Sequence, residues 1–237
     1  MFRTAGFYLY FFIRGFFSFW GRWKANRVQL NTVEETDWEK CKVPRQWARS
    51  LVNIVGGKIT VNGTENLPKG PVVFVSNHQG NFDIPVLIGF IPKPFGFISK
   101  MEVMKIPVVG SWMKIMNCVF MDRSSRAKST QAITAGVEIL KKGHSLVIFP
   151  EGTRSKGGPV QAFKAGSVRL AIDAEVPIVP IAINGTANIM EKNKYIMKPA
   201  EVTVTILPPI PAEKVKSSDS KTLAEELKSL IEAKVKK

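Results

Sequence analysis

The stretch Pro71-Val72-Val73-Phe74-Val75-Ser76-Asn77-His78-Gln79-Gly80-Asn81-Phe82-Asp83-Ile84-Pro85 sets the architecture. Its apolar opening, through Val75, has the length and composition of a buried strand. The residues after His78 are small or polar until Phe82, and Pro85 suits the first turn of a helix, where its missing N–H has no partner to lose. The stretch therefore reads as a strand, a tight loop and a helix start. His78 falls where strands end and ligands bind in α/β sheets, five residues ahead of Asp83.

Worked outward, the same β-then-α alternation begins at Lys58. Strands are predicted over residues 58–61, 72–75, 95–98, 119–121, 145–149, 179–183 and 202–206, with helices between them. Residues 127–141 carry Ile133, Val137 and Leu140 at helical spacing, and residues 164–174 repeat the pattern around Val168 and Ile172. Residues 222–236, with Leu223, Leu227, Leu230 and Ile231 on one side, read as a terminal helix on the core. The expectation is one α/β domain over residues 57–237, a single mixed sheet flanked by helices. No repeat or low-complexity segment interrupts it.

Within the opening stretch, Asp83 can fold back on His78. Such a carboxylate holds the ring nitrogen that carries hydrogen and favours the imidazolium that forms when the other nitrogen takes a proton. With five Asp in the chain the spacing also arises by chance, and the alternative is a satisfied structural histidine. His78 is one of only two histidines; the other, His144, sits in a Lys-Lys-Gly-His-Ser turn with no acid five positions on, and reads as structural.

A second string, Phe149-Pro150-Glu151-Gly152-Thr153-Arg154-Ser155, follows another apolar strand. Gly152 lets the backbone approach a ligand closely, and Arg154 offers a planar fork of donors suited to a phosphate monoester. Glu151 either positions a substrate hydroxyl or pairs with Arg154 to hold the loop. Lys100 and Lys105 flank Met101 to Met104 ahead of the Pro107 break, and either face the same cleft or lie solvated on the surface.

The chain has 237 residues, 45% of them hydrophobic, enough for one sizeable core; 34 Lys and Arg against 19 acids give a net charge of +15. That charge fits nucleic acid or anionic lipid, and the N-terminal composition decides between them. Met1 to Trp23 holds seven Phe, two Tyr and two Trp, with Arg3, Arg14 and Arg22 and no acid before Glu34. Aromatics in that density argue against nucleic acid. The longest uncharged stretch there, Thr4 to Ile13, is ten residues, against the roughly twenty a bilayer crossing needs. Arg14 ends the apolar run with no small-residue cleavage site after it, unlike a secretory signal. A helix lying in the interface fits, its aromatics at the headgroup level and its arginines reaching phosphates. Residues 44–55 place Trp47, Leu51 and Ile54 on one helical face, with Arg45 and Arg49 elsewhere, and are expected to pack beside the first helix. Residues 1–56 thus read as a two-helix membrane-binding motif, the alternative being helices that simply cap the core.

Taken together, His78-x-x-x-x-Asp83 and Phe149-Pro150-Glu151-Gly152-Thr153-Arg154 resemble the glycerolipid acyltransferase family, in particular its bacterial 1-acylglycerol-3-phosphate acyltransferases. Val119-Phe120-Met121-Asp122-Arg123 resembles the family's second block and Val176-Pro177-Ile178-Val179-Pro180 its fourth; Asn117 stands where the second block commonly has glycine. The resemblance implies His78 as general base with Asp83 as its orienter, and a phosphate site drawn from Arg123, Glu151, Gly152, Thr153 and Arg154, with Lys100 and Lys105 as further candidates. It implies direct acyl transfer from acyl-CoA or acyl carrier protein to lysophosphatidate, without a cofactor, by a monotopic enzyme on the cytoplasmic face of the cell membrane. Backbone N–H groups near Gly80 are the expected oxyanion donors. No Gly-x-Ser-x-Gly elbow occurs and neither cysteine adjoins a histidine, which argues against an acyl-enzyme. Cys41 and Cys118 lack zinc spacing and form no CxxC, so no metal or redox pair is expected. Gly56-Gly57-Lys58 lacks the rest of a phosphate loop and reads as a turn.

Overall fold

The computed structural model describes residues 2–235; Met1, Lys236 and Lys237, which the expected boundaries include, lie outside the described residues. Seven strands form one sheet in the order β1 (Gly57–Asn62), β7 (Ala200–Ile206), β6 (Ile178–Asn184), β2 (Val73–Ser76), β5 (Leu146–Ile148), β3 (Gly96–Lys100) and β4 (Val119–Met121). Neighbours run parallel throughout, except that β7 pairs antiparallel with β6, so the sheet is mixed as expected. Every strand lies within two residues of its predicted position.

The period of two along the strands divides the interior. Val73 and Val75 of β2 enter a core with α5 (Arg126–Lys141), α6 (Ala165–Ala174) and α8 (Ser220–Glu232) on one face. Val72 and Phe74 enter the other, with α2 (Val33–Ile54) and α3 (Asp83–Phe90). The chain leaves β2 for α3 on one face, yet leaves the adjacent β5 for α6 on the opposite face. Two neighbouring connections diverging from one edge open a crevice there, and both motif strings sit on it.

The N-terminal layer differs in detail from the sequence expectation. The second helix begins eleven residues before Pro44, at a Thr32 N-cap whose hydroxyl accepts from Glu35 N while Glu35 accepts from Thr32 N. Pro44 lies inside it. A proline removes one helical hydrogen bond, but Cys41, Pro44, Ala48 and Val52 form a continuous buried stripe across it. Trp47 and Leu51 are buried, and Trp47 packs on Phe11 of the first helix with ring centroids 4.9 Å apart, in keeping with the expectation that the two helices lie side by side. Arg45 and Arg49 reach the C-terminal end of α3: Arg49 Nε donates to Gly89 O at 2.7 Å, and Arg45 Nη1 to Ile88 O and Ile91 O, satisfying carbonyls a helix end leaves open.

Exposed aromatics are concentrated instead on α1 (Phe2–Arg27), where Phe12, Phe16, Trp20 and Trp23 are all at least 60% exposed along one face. Met104 and Ile106 are also exposed, in the segment just ahead of Val108, whose side chain lies against Gly15 of α1. Among the described residues no helix is long and apolar enough to cross a membrane.

Candidate active site

His78 leaves the end of β2 in a loop whose polar groups are nearly all committed to fixing it. Its Nδ1 lies 2.6 Å from Asp83 Oδ2, and because that partner only accepts, Nδ1 is the donor and Nε2 the nitrogen left for a substrate. Asp83, fully buried at the start of α3, also receives Gln79 N at 2.7 Å and Gly80 N at 2.9 Å on Oδ2, and the Thr186 hydroxyl on Oδ1. Two further carboxylates close on the same loop. Glu151 Oε1 accepts His78 N at 2.6 Å, and Glu191 Oε1 accepts Asn81 N at 2.7 Å. Asn77 staples the loop to β6, its Oδ1 accepting Ile183 N at 2.7 Å and its Nδ2 donating to Ile183 O at 2.9 Å. The ring of His78 stacks on Phe149, centroids 4.1 Å apart.

Four consecutive N–H groups, from His78 to Asn81, therefore all point at carboxylates. The expected oxyanion donors near Gly80 are engaged by Asp83, whose carboxylate at the start of α3 accepts Gln79 N and Gly80 N. Gly80 itself admits no side chain, since an added Cβ would stand 2.3 Å from Glu191 Oε2.

The second loop is tied to the first by Ser155 N donating to His78 O at 2.8 Å. Gly152 has φ +70°, and an added Cβ would meet Lys164 Nζ at 2.9 Å and Arg123 Nη1 at 3.4 Å, so its bare backbone is what lets these two cations converge. Arg123 Nη1 also donates to Gly152 O. It is carried by the turn after β4, where Asp122 accepts Ser124 N at 2.8 Å and Lys128 Nζ at 2.7 Å; the lysine and that N–H hold the Asp122 carboxyl below the usual carboxylate range. Asn117 adopts the left-handed conformation, φ +56°, that favours glycine at that place, and its side chain bonds into a pair formed by His144 Nδ1 and Asp37 Oδ2, 2.7 Å apart. His144 is thus a structural histidine with an acid supplied by α2.

Glu151 does neither of the two things its sequence position allowed. It is 4% exposed, and its second oxygen accepts Gln161 N at 2.9 Å, so both oxygens hold backbone. Burial pushes its carboxyl above the ordinary value, opposed by the Gln161 and His78 N–H groups. Arg154 bonds Asn81 Oδ1 and lies 3.6 Å from Glu191 Oε1 instead. One cavity of about 1210 Å³ is lined by His78, Lys100, Arg123, Gly152, Thr153 and Arg154, but by neither Glu151 nor Lys105, which is exposed in the turn Met101–Lys105. Lys164, Thr186 and Glu191 escaped the sequence reading; no local pattern marks them, and only the fold brings them to the loops.

The acyltransferase family model matches residues 58–184, the stretch that carries the His78–Asp83 pair together with Arg123, Gly152 and Lys164. The chain belongs to that family. A chloroplastic 1-acyl-sn-glycerol-3-phosphate acyltransferase of Arabidopsis thaliana is 40% identical over 160 residues, 66% of this chain and 45% of that protein. The 1-acyl-sn-glycerol-3-phosphate acyltransferase of Borreliella burgdorferi is 30% identical over 183 residues, 77% of this chain and 73% of that protein. The crystal structure of the 1-acyl-sn-glycerophosphate acyltransferase PlsC from Thermotoga maritima superposes with a TM-score of 0.84 at 28% identity, covering 98% of this chain and 92% of that one. The chain spans about half the length of the curated plant relatives it matches.

Proposed function

We propose that this protein transfers an acyl group from an acyl thioester to the free hydroxyl of 1-acylglycerol-3-phosphate, forming phosphatidate at a membrane surface. The observation that carries the reading is the sharing of one cavity by His78 and the Arg123–Gly152–Arg154 cradle, because a base and a phosphate clamp on one substrate fix which hydroxyl is deprotonated. His78 Nε2 takes the hydroxyl proton as the oxygen attacks the thioester carbonyl; Asp83 holds the ring and stabilises the imidazolium. Collapse of the tetrahedral intermediate breaks the carbon–sulfur bond, and the imidazolium returns its proton to the departing thiolate. Arg123, Arg154 and Lys100 hold the phosphate, with Gly152 and Thr153 approaching it; Lys164 joins them, and Glu151 positions His78 from behind. Burial pushes the thiols of Cys41 and Cys118 up to about 12, which fits transfer without a thiol nucleophile. The names of the relatives support the acceptor, and the cavity exceeds the roughly 300–1,000 Å³ of a site for one small ligand, as two substrates require.

Residues 1–56 serve as the membrane-facing layer and 57–237 as the catalytic domain, on the cytoplasmic face. Tyr8 and Ile106, 48% and 44% exposed, line the cavity beside the apolar face of α1, so lipid acceptor and product pass between bilayer and site without crossing water. The test is phosphatidate formation by the purified protein from lysophosphatidate and either acyl-CoA or acyl carrier protein, with glycerol phosphate as competing acceptor. Turnover on lysophosphatidate that His78→Ala abolishes, with the fold intact, is expected. Preference for glycerol phosphate overturns the acceptor, and liposome binding without turnover on either overturns the reaction.

A further inference from the structure

The cavity changes character as it crosses the carboxyl edge of the sheet. On the face of α1, α2 and α3 it is walled by Phe7, Phe11, Trp47, Leu51 and Ile88. On the opposite face it continues between α5 and α6, and there, alongside one isoleucine (Ile133) and one acid (Asp173), its walls are mainly hydroxyls and guanidinium groups: Ser129, Thr130 and Thr134 of α5, Ser167 of α6, with Arg126 and Arg169 beside them. Both helices start at the catalytic edge and run away from it. The lined residues of α5, from Arg126 to Thr134, cover about 12 Å of helix. Beyond them the seam shuts, since Gly136 packs so closely on Leu170 that a Cβ there would meet the leucine at 2.7 Å. Near the start of α6, by contrast, a Cβ on Gly166 would meet nothing within 4 Å.

A lining with one isoleucine among hydroxyls and charges is a poor match for an acyl chain, and the acceptor's phosphate is taken by the cradle at Gly152. Resting on the acyl-thioester reading above, we propose that the α5–α6 groove binds the phosphopantetheine arm of the acyl donor. The hydroxyls of Ser129, Thr130 and Thr134 donate to Asp122 O, Arg126 O and Thr130 O, which leaves their oxygen lone pairs as acceptors for the amide N–H groups of that arm, and a guanidinium suits its phosphate. Among the described residues Arg126 has no carboxylate partner, and Arg169 is only loosely engaged, 3.5 Å from Asp173. The thioester then enters beside His78 from the face opposite the lipid, so the two substrates reach the histidine from opposite sides of the sheet. Coenzyme A and acyl carrier protein share this arm, so the groove serves either.

The test uses the full-length protein, with Gly166→Trp to fill the groove from a position with open space and Arg126→Ala to remove the exposed cation. Each is expected to raise the KM for acyl-CoA and for acyl carrier protein about ten-fold or more, a change of about 1.4 kcal/mol, and to leave the KM for lysophosphatidate within about two-fold. With acyl-N-acetylcysteamine, which lacks the arm beyond its first amide, Arg126→Ala is expected to match wild type. An effect on one donor alone overturns the assignment to the shared arm, as does a shift in the acceptor's KM or no shift at all. Calorimetric titration with coenzyme A needs no turnover: weaker binding by both variants upholds the groove even where the acceptor proves to be another, and unaltered binding overturns it.

Discussion

Replacing Glu151 by glutamine separates a residue that touches substrate from one that holds the base. Glu151 accepts two backbone N–H groups, His78 N at 2.6 Å and Gln161 N at 2.9 Å, on different oxygens. Glutamine keeps one acceptor and presents an NH₂ to the other N–H, leaving a buried donor unpaired at a cost of about 1–3 kcal/mol. For a chain of this size that lowers Tm by roughly 2–12 °C. The displaced N–H is on one of the two loops, so kcat is expected to fall about ten- to hundred-fold, as misplacement on the order of 1 Å does, with the KM for lysophosphatidate nearly unchanged. Acidity gives a second readout. Burial sets the folded-state affinity of Glu151 for a proton above that of the unfolded chain, whose ordinary value is 4.5. Its contribution to stability is therefore fully present below 4.5 and is lost as pH rises through the folded value. Glutamine does not titrate there, so wild type gains on the variant as pH falls toward that window. Thermal unfolding across pH, beside steady-state kinetics, reads both quantities. An unchanged Tm with a raised acceptor KM would refute the reasoning and return Glu151 to the substrate.

Gly152→Ala forces a φ of +70° on a residue with a Cβ and drives that Cβ against Lys164 Nζ; KM for lysophosphatidate is expected to rise about ten-fold, from one lost charge-assisted contact, with kcat held within a few-fold. An unchanged KM would place the phosphate elsewhere. Phe12→Ser, Phe16→Ser and Trp20→Ser combined remove three exposed rings, each worth about 1 kcal/mol of partial burial, so liposome partitioning should drop on the order of a hundred-fold while activity on detergent-dispersed substrate persists. Retained liposome binding would assign membrane contact to another surface.

The β-strands and most of the long helices were legible because each is encoded locally: apolar runs and periodicities survive without knowing what packs on them. Pro44 misled for the same reason, since a proline speaks only for its own turn, whereas the buried stripe from Cys41 to Val52 and the Thr32–Glu35 cap decide where the helix lies. Trp47 and Leu51 were expected beside the first helix and lie there, yet only the fold shows that protein buries them, because amphipathicity shows which face is apolar but not what covers it.

At the site, the two strings by themselves brought His78 to Asp83 and set Gly152 and Arg154 on one loop, since residues a few positions apart share one turn of chain. Only the tertiary structure decided what each remaining acid and cation does. Glu151 and Glu191, 40 residues apart in the chain, both close on the histidine loop, Thr186 completes Asp83 from across β6, and Lys164 joins Arg123 over Gly152. A buried hydrogen bond is specified by where folding puts its two ends, and linear spacing carries no record of that once the partners stand on different strands.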